Sequence, residues 1–222
     1  MKHLNLILII LILSCCPLHP AYAFFDKDIR LLTMRDGLAD NTIPCIYKDE
    51  DGFMWFGTDD GLSRYDGKTI QNFKPADTYA SVAAIVRLSD DFLGIVSDGY
   101  LYYFNRKQET FLPIHTESDT AIGVFNVLPA DNSSFWGISG NRLILCQWEI
   151  RQGKEEEKTA VRVRIQKTFQ LLEEKGEVFS SLCYHEKAGN GIWLTTNRGN
   201  LILFHPDTPE AYQKIPLTDA KP

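Results

Sequence analysis

Two clusters of acidic residues are the first candidates for chemistry in this chain: Asp49, Glu50 and Asp51, and further along Asp59 and Asp60. Paired carboxylates at a fixed separation can cleave glycosidic bonds, and loops of carboxylates can hold calcium. Both clusters lie beside glycines, however, where aspartate commonly hydrogen-bonds the backbone of its own turn. The regular ligand spacing and terminal glutamate of a calcium loop are also missing. The sequence therefore favours a structural role in turns.

Aromatic side chains could bind a sugar by stacking on its apolar face. Trp55, Trp136 and Trp193 recur in similar sequence contexts, and this repetition predicts that they fill the space between neighbouring sheets. Tyr102 and Tyr103 are adjacent, so strand geometry places them on opposite faces, and one of them could be exposed. We expect packing roles for the tryptophans, and no ligand-binding residue is identified from the pattern.

Motifs for metal binding, nucleophilic catalysis and phosphate binding do not occur in the sequence. Its histidines, which show no paired metal-ligand spacing, are His3, His19, His115, His185 and His205. The Gly-x-Ser-x-Gly, phosphate-binding glycine-rich and Cys-x-x-Cys patterns are missing as well. We therefore predict no catalytic residues, no metal and no cofactor, and favour a binding role.

Three Asp-Gly pairs divide residues 41–73 into short runs rich in β-branched and aromatic residues. The pairs are Asp51-Gly52, Asp60-Gly61 and Asp66-Gly67. Asp-Gly supplies the positive φ angles of tight hairpin turns. The pattern predicts four antiparallel strands in succession, near Thr42 to Tyr47, Phe53 to Gly57, Leu62 to Tyr65 and Thr69 to Phe73.

Weaker copies of this segment follow it along the chain. The first segment and its three copies centre on Trp55, Leu93, Trp136 and Trp193, and successive centres are 38, 43 and 57 residues apart. A period near forty residues with four strands per unit is typical of β-propeller blades. We predict an all-β fold of about four four-stranded antiparallel units, an incomplete propeller, with blades near 38–75, 82–115, 122–170 and 177–217. The wide last spacing indicates a lengthened hairpin in the third blade, with a charged tip at 154–158.

The first unit carries a family resemblance. Gly52-Phe-Met-Trp-Phe-Gly-Thr58, followed by Gly61-Leu-Ser-Arg-Tyr-Asp-Gly67, resembles the two-component regulator propeller repeat. The preceding residues 32–41 resemble the start of the first blade in periplasmic sensor regions of hybrid two-component histidine kinases. The resemblance is specific over residues 31–73 and weak in the other three copies. It implies a sensor that detects a glycan fragment and signals to a kinase elsewhere in a longer protein.

The amino terminus has the features of a secretory signal peptide. Lys2 precedes an apolar run at 6–13, which is too short to span a bilayer, and an Ala-x-Ala site ends at Ala23. We predict cleavage there, so that residues 1–23 are the signal peptide and 24–222 a periplasmic partial propeller, its parent protein anchored in the inner membrane. Lipoprotein processing at Cys15 is the alternative. The net charge of −6 disfavours nucleic acid as a partner.

Three cysteines follow the predicted signal peptide: Cys45, Cys146 and Cys183. We expect all three to be unpaired, small, buried residues, with a disulfide of Cys146 as the alternative. Equivalent positions in different blades are too far apart for a disulfide between Cys45 and Cys183.

A strand-like stretch from Ile29 to Met34 precedes the first blade and could complete the last blade of a closed ring. Four blades are fewer than propellers of the resembled family usually carry. An open wedge and a strained four-blade ring are both compatible with the sequence.

The sequence leads to one main functional hypothesis and two alternatives. The main hypothesis is a periplasmic, non-catalytic ligand-sensing propeller of a hybrid two-component sensor, with an oligosaccharide as ligand. Its partners would be the remaining propeller and signalling domains of a parent sensor, with a homodimer of that parent possible. The alternatives are an exported propeller glycoside hydrolase or lyase, and a propeller that docks other proteins.

Overall fold

The computed structural model describes residues 29–74, 81–117, 122–151, 160–185 and 191–217. Of these, residues 32–217 belong to one compact unit of the chain. The predicted signal peptide and the charged tip at 154–158 lie outside the described residues. Within the described ranges, no helix is both long and apolar enough to cross a membrane.

The described residues form antiparallel sheets that follow one another along the chain. Blade 1 comprises β1 (Cys45–Lys48), β2 (Met54–Thr58), β3 (Gly61–Tyr65) and β4 (Ile70–Phe73), and blade 2 comprises β5 (Val82–Arg87), β6 (Phe92–Ser97), β7 (Tyr100–Asn105) and β8 (Thr110–Pro113). Blade 3 comprises β10 (Asn126–Pro129), β11 (Ser134–Ser139), β12 (Arg142–Arg151) and β13 (Ala160–Gln170). The short β9 (His115–Thr116) pairs in parallel with β13, the outer strand of this blade. Blade 4 comprises β14 (Phe179–His185), β15 (Gly191–Thr196), β16 (Asn200–Phe204) and β17 (Gln213–Pro216). These sheets confirm the predicted all-β fold of four units.

Hydrophobic cores lie between successive blades. Blades 1 and 2 bury a cluster that includes Trp55 and Phe104, and blades 2 and 3 bury one that includes Tyr103 and Trp148. Blades 3 and 4 bury a third, which includes Trp136. Each sheet thus depends on its neighbour for burial of an apolar face, which is the propeller arrangement.

Trp55 and Trp136 fill inter-blade space as predicted, with 0% and 4% of their surfaces exposed. Trp193 is only half-buried, because it points away from blade 3 while its neighbours Ile192 and Leu194 face that blade. The prediction of core packing therefore fits two of the three tryptophans.

The position of Trp55 is taken in blade 2 by Gly94, and the prediction that Leu93 occupies it was wrong. A two-residue turn follows Thr58 in blade 1, and an equivalent turn follows Ser97 in blade 2. Counted back from these turns, Gly94 occupies the same strand position in blade 2 as Trp55 does in blade 1. Leu93 belongs to the core with blade 1 instead. An alignment error of one residue along a strand assigns the side chain to the opposite face of the sheet.

Residues Ile29 to Met34 form no strand, contrary to the prediction. Met34–Asp36 form a 3-10 turn, which Thr33 caps by accepting a hydrogen bond from the Arg35 backbone at 3.2 Å. Gly37 ends the turn with φ 113°, a left-handed conformation that favours glycine.

The segment that follows this turn lies on the outward face of blade 1. The Ala39 backbone donates to Ser63 at 3.2 Å, and Asn72 donates to the Gly37 carbonyl at 2.8 Å. Leu38 is buried. The lead-in residues therefore cover part of this face rather than adding a strand to the last blade.

The outward faces of the first and last blades retain exposed apolar side chains. Ile46 on blade 1 is 60% exposed, and Ile215 on blade 4 is 41% exposed. Among the described residues, the three buried clusters each join consecutive blades. These exposures favour the open wedge over the closed four-blade ring.

Candidate ligand-binding groove

The innermost strands of blades 1, 2 and 3 line a cavity of about 640 Å³. We call it the inner-strand groove, and its walls are formed by Tyr47, Ile85, Val86, Arg87, Leu88, Ser89, Asp90, Pro129, Asp131 and Asn132. The hairpins that follow β1, β5 and β10 converge at this end of the blades. The groove thus combines an apolar floor with polar groups supplied by loops, which is the usual composition of a small-molecule site.

Tyr47 provides the aromatic surface of the groove. It lies opposite Trp55 in the β1–β2 pair and packs in part against the core between blades 1 and 2. Its burial raises the pKa of the phenol above the usual value, so the hydroxyl stays neutral and can both donate and accept hydrogen bonds. Packing holds the ring in place before any ligand arrives.

Arg87 supplies the positive charge of the groove. Its guanidinium contacts Asp90 at 2.5 Å and Glu50 at 3.2 Å, and the hydrogen bond to Asp90 is the main cause of its raised pKa. The side chain remains 43% exposed. It therefore presents donors to the solvent while its charge is balanced by two carboxylates.

A smaller cavity of about 190 Å³ continues the groove between blades 1 and 2. At its base, the buried Asp49 carboxylate accepts hydrogen bonds from the Phe53 backbone at 2.8 Å and from the Trp55 indole at 2.7 Å. Arg106 of blade 2 also donates to Asp49, at 2.9 Å. One carboxylate thus fixes the turn, the buried tryptophan and the next blade.

Arg106 ties the hairpins of two blades together. Besides Asp49, it binds the Asp51 carboxylate and donates to the Asp90 carbonyl at 2.7 Å. The sequence predicted that these acids serve their own turns, and Asp49 does so through Phe53. Its contacts with the indole and with blade 2 go beyond that prediction, and all of these contacts give Asp49 a structural role.

The second acidic cluster lies at the opposite end of β2 from Asp49. There Asp59 accepts a hydrogen bond from Ser81 at 2.9 Å, and Asp60 binds Lys74. The fold therefore separates the two clusters. No group of three or more histidine, cysteine or acidic side chains suited to a metal occurs within the described ranges.

A further buried carboxylate, Glu177, stabilises blade 4. It accepts hydrogen bonds from Thr196 at 2.9 Å, Asn200 at 2.6 Å and Lys214 at 2.9 Å. Burial disfavours its ionised form, but these donors outweigh burial and lower the pKa of Glu177 below its usual value. These three donors all belong to blade 4, and Glu177 does not line the inner-strand groove.

The remaining candidate residues have packing roles or face solvent. Tyr103 is buried and Tyr102 half-buried on the opposite face, as predicted. The cysteines Cys45, Cys146 and Cys183 are unpaired. Burial raises the pKa of Cys45 to about 11 and that of Cys146 to about 12. Cys183 is exposed, contrary to the prediction, because it lies on the outward face of blade 4 opposite Trp193.

Solved structures with the same fold come from proteins of different functions. Virginiamycin B lyase from Staphylococcus aureus matches at 14% identity and TM-score 0.52, over 79% of this chain and 55% of that chain. The extracellular domain of BT4673 from B. thetaiotaomicron, described as a one component system, matches at 14% and 0.51, over 83% and 33%. The Neurospora crassa Pan2 WD40 domain matches at 14% and 0.50, over 78% and 49%.

These likenesses establish the propeller fold, and this chain spans about half of the lyase and a third of the BT4673 domain. No curated protein sequence matches the chain. Residues 37–60 match the family model described as Two component regulator propeller. The match covers β1, β2 and the turn after them, where the sequence resemblance was found. The first half of blade 1 is therefore similar to the two component regulator propeller repeat.

Proposed function

We propose that this chain is the ligand-sensing propeller of an exported two-component sensor, and that its inner-strand groove binds a neutral oligosaccharide. The observation that carries the proposal is the groove itself, which lies beside a regulator propeller repeat. Its aromatic ring, apolar floor and exposed hydrogen-bonding groups suit a sugar, which has apolar faces and a rim of hydroxyls. A neutral ligand is favoured because Arg87 is already balanced by Glu50 and Asp90.

Several features support a role in sensing rather than catalysis. The regulator propeller family suggests a sensor, and the BT4673 domain of the same fold is extracellular. The predicted signal peptide at 1–23 agrees with an exported protein. The sensor would pass the oligosaccharide signal to a kinase in a longer parent protein.

Isothermal titration with a panel of neutral oligosaccharides tests the proposal. We expect at least one member to bind, and Arg87→Gln to weaken binding about tenfold, equivalent to about 1.4 kcal/mol. Tyr100→Ala is the matched control, because Tyr100 is 50% exposed and lies outside the groove. Heat from no member of the panel would overturn the glycan assignment, and equal losses in both variants would overturn the assignment of the groove.

A propeller hydrolase or lyase is the rival function, favoured by the carboxylates beside the groove and by the lyase of similar fold. Asp49 and Asp51 are both bound to Arg106, which disfavours a free catalytic pair. Turnover of a chromogenic glycoside that is abolished by Asp51→Asn would establish catalysis in place of sensing.

A further inference from the structure

A cavity of about 160 Å³ lies on the lengthened hairpin of blade 3. Its strands β12 and β13, of 10 and 11 residues, are longer than every other described strand. Neither the first nor the last described blade contributes to the cavity, and none of its lining residues lines the inner-strand groove. We call it the hairpin cleft, and its polar lining residues are Glu117, Gln147, Glu149, Arg162 and Arg164.

Strand pairing places the polar side chains of the cleft on one face of blade 3. Gln147 of β12 lies directly opposite Arg164 of β13, and Glu149 lies opposite Arg162. Residues that are directly opposite, or two apart along one strand, share a face of the sheet. Trp148 points to the other face and is buried in the core with blade 2. The hairpin therefore packs on one face and presents the polar cleft on the other.

Several charges of the cleft already have partners. Glu149 accepts hydrogen bonds from Arg151 at 2.9 and 3.2 Å. The hydrogen bond to Glu149 is the main cause of the raised pKa of Arg151, and the charge of Glu117 contributes to it. Arg162 donates to the Thr116 carbonyl at 3.0 Å. Both glutamates thus act on Arg151, while the β9 backbone holds Arg162.

Arg164 and Gln147 retain donors for a ligand. Within the described residues, the exposed Arg164 guanidinium makes no hydrogen bond or ion pair, so its planar set of N–H donors is available. The Gln147 carbonyl oxygen accepts from Gln166 at 2.9 Å, which leaves the amide N–H groups of Gln147 for another acceptor. Because Gln147 and Arg164 lie opposite each other, one anion can accept hydrogen bonds from both.

The charge and size of the cleft indicate which anion fits. Together with Arg151, the cleft holds three arginines and two glutamates, and the single net positive charge suits a monoanion better than a dianion such as phosphate. A carboxylate matches the fork of a guanidinium. A cavity of about 150 Å³ accommodates benzene, so we expect a ligand of about six non-hydrogen atoms. Glu117 is exposed and can accept a hydrogen bond from a second group on that ligand.

We propose that the hairpin cleft binds a small monocarboxylate. Its carboxylate accepts hydrogen bonds from Arg164 and Gln147, and a hydroxyl or ammonium group of the same molecule donates to Glu117. The cleft and the inner-strand groove share no residue, so the proposal does not depend on the oligosaccharide assigned to the groove.

Nuclear magnetic resonance titration of the isotope-labelled protein with sodium L-lactate tests the proposal, with sodium chloride at equal ionic strength as the reference. We expect shifts of the backbone amides of 147–149 and 162–164, with a Kd of about 1 mM. L-alanine carries an ammonium group in place of the hydroxyl, and tighter binding of one of the two identifies the ligand as a hydroxy acid or an amino acid. Propionate has neither group and should bind more weakly than both. Equal binding of propionate would overturn the contact with Glu117.

Charge-matched variants locate the site. Arg164→Gln should weaken lactate binding about tenfold, whereas Lys167→Gln should not change it, because Lys167 is exposed on the same strand and lies outside the cleft. Circular dichroism shows that each variant is folded, and Arg164→Gln should leave oligosaccharide binding in the groove unchanged. Equal losses in the two variants, or no shift in the cleft at saturating lactate, would overturn the proposal. Phosphate that binds as tightly as lactate would overturn the choice of a monocarboxylate.

Discussion

Replacing Asp49 with asparagine removes the charge that joins the first two blades while preserving the size of the side chain. The Asp49 side chain is 3% exposed and that of Arg106 is 16% exposed, so the pair is largely shielded from water. Asparagine can still accept from the Phe53 backbone or the Trp55 indole. The substitution therefore isolates the contribution of the ionic contact between blades.

The expected loss follows from the burial of the pair. Breaking a fully buried ion pair costs about 3–5 kcal/mol, and a hydrogen bond to a charged group contributes about 1.5–3 kcal/mol. Arg106 keeps Asp51 and the Asp90 carbonyl as acceptors. We therefore expect the free energy of unfolding to fall by about 2–3 kcal/mol in Asp49→Asn.

Urea denaturation at 25 °C, followed by tryptophan fluorescence, measures this loss. With a slope of about 2 kcal/mol per M, the midpoint should fall by roughly 1–1.5 M. Asp51→Asn is the matched control, because Asp51 binds the same arginine but is 62% exposed, and an exposed pair contributes about 0–1 kcal/mol. Equal shifts in the two variants would refute the reasoning that burial makes Asp49 the stronger contact.

Three further predictions concern packing, thiol reactivity and pH. Gly57→Ala should destabilise the protein by about 1–3 kcal/mol in urea denaturation, because the new Cβ would lie 2.6 Å from a backbone oxygen of blade 2. Gly123→Ala should cost less, because the atom nearest to its new Cβ would be 3.9 Å away. Equal losses of stability in the two variants would contradict this prediction. Site-resolved iodoacetamide labelling at pH 8 should modify Cys183 before Cys146, whose thiol pKa is raised by burial, and the reverse order would refute the burial of Cys146. Because the pKa of Glu177 is lowered in the folded protein, its carboxylate stabilises the fold at pH values above about 4.3, the glutamate pKa in an unfolded chain. The free energy of unfolding, measured in urea, should therefore fall as the pH drops through the folded pKa, and Glu177→Gln should make this fall less steep. An unchanged pH dependence in Glu177→Gln would exclude the contribution.

The blades could be predicted from sequence because their strands are local and their turns carry a clear signal. Asp-Gly at 60–61 marks the β2–β3 hairpin, and the strands on both sides follow within a few residues. The error at Leu93 arose because an apolar residue was accepted in place of tryptophan. Counting back from the Asp98-Gly99 turn would have given Gly94, where Val86 and Leu88 approach the space of the missing indole.

The lead-in segment shows how a local signal can be overlooked. The stretch from Ile29 to Met34 was predicted to be strand-like, but Thr33 and Asp36 form a reciprocal capping box, a pattern that begins helical turns. Gly37 then ends the turn. The spacing of these three residues was visible in the sequence and would have predicted the observed conformation.

The groove could not be predicted because its parts are distant in the chain. Tyr47, Arg87 and Pro129 come from three blades and meet only after the innermost strands align. The contact between Asp49 and Arg106 likewise joins hairpins of different blades. Neither hairpin carries a local pattern that specifies its partner, so these contacts depend on the stacking of the sheets.

Hydrogen–deuterium exchange with mass spectrometry, in the presence of the oligosaccharide that gives the largest heat, tests the central claim of a ligand-sensing propeller most directly. We predict slower exchange in peptides that cover 45–51, 82–91 and 126–132, which line the inner-strand groove. The turns at 59–60 and 98–99, at the opposite ends of the blades, should be unchanged. Protection confined to those turns, or no protection at saturating oligosaccharide, would contradict the account.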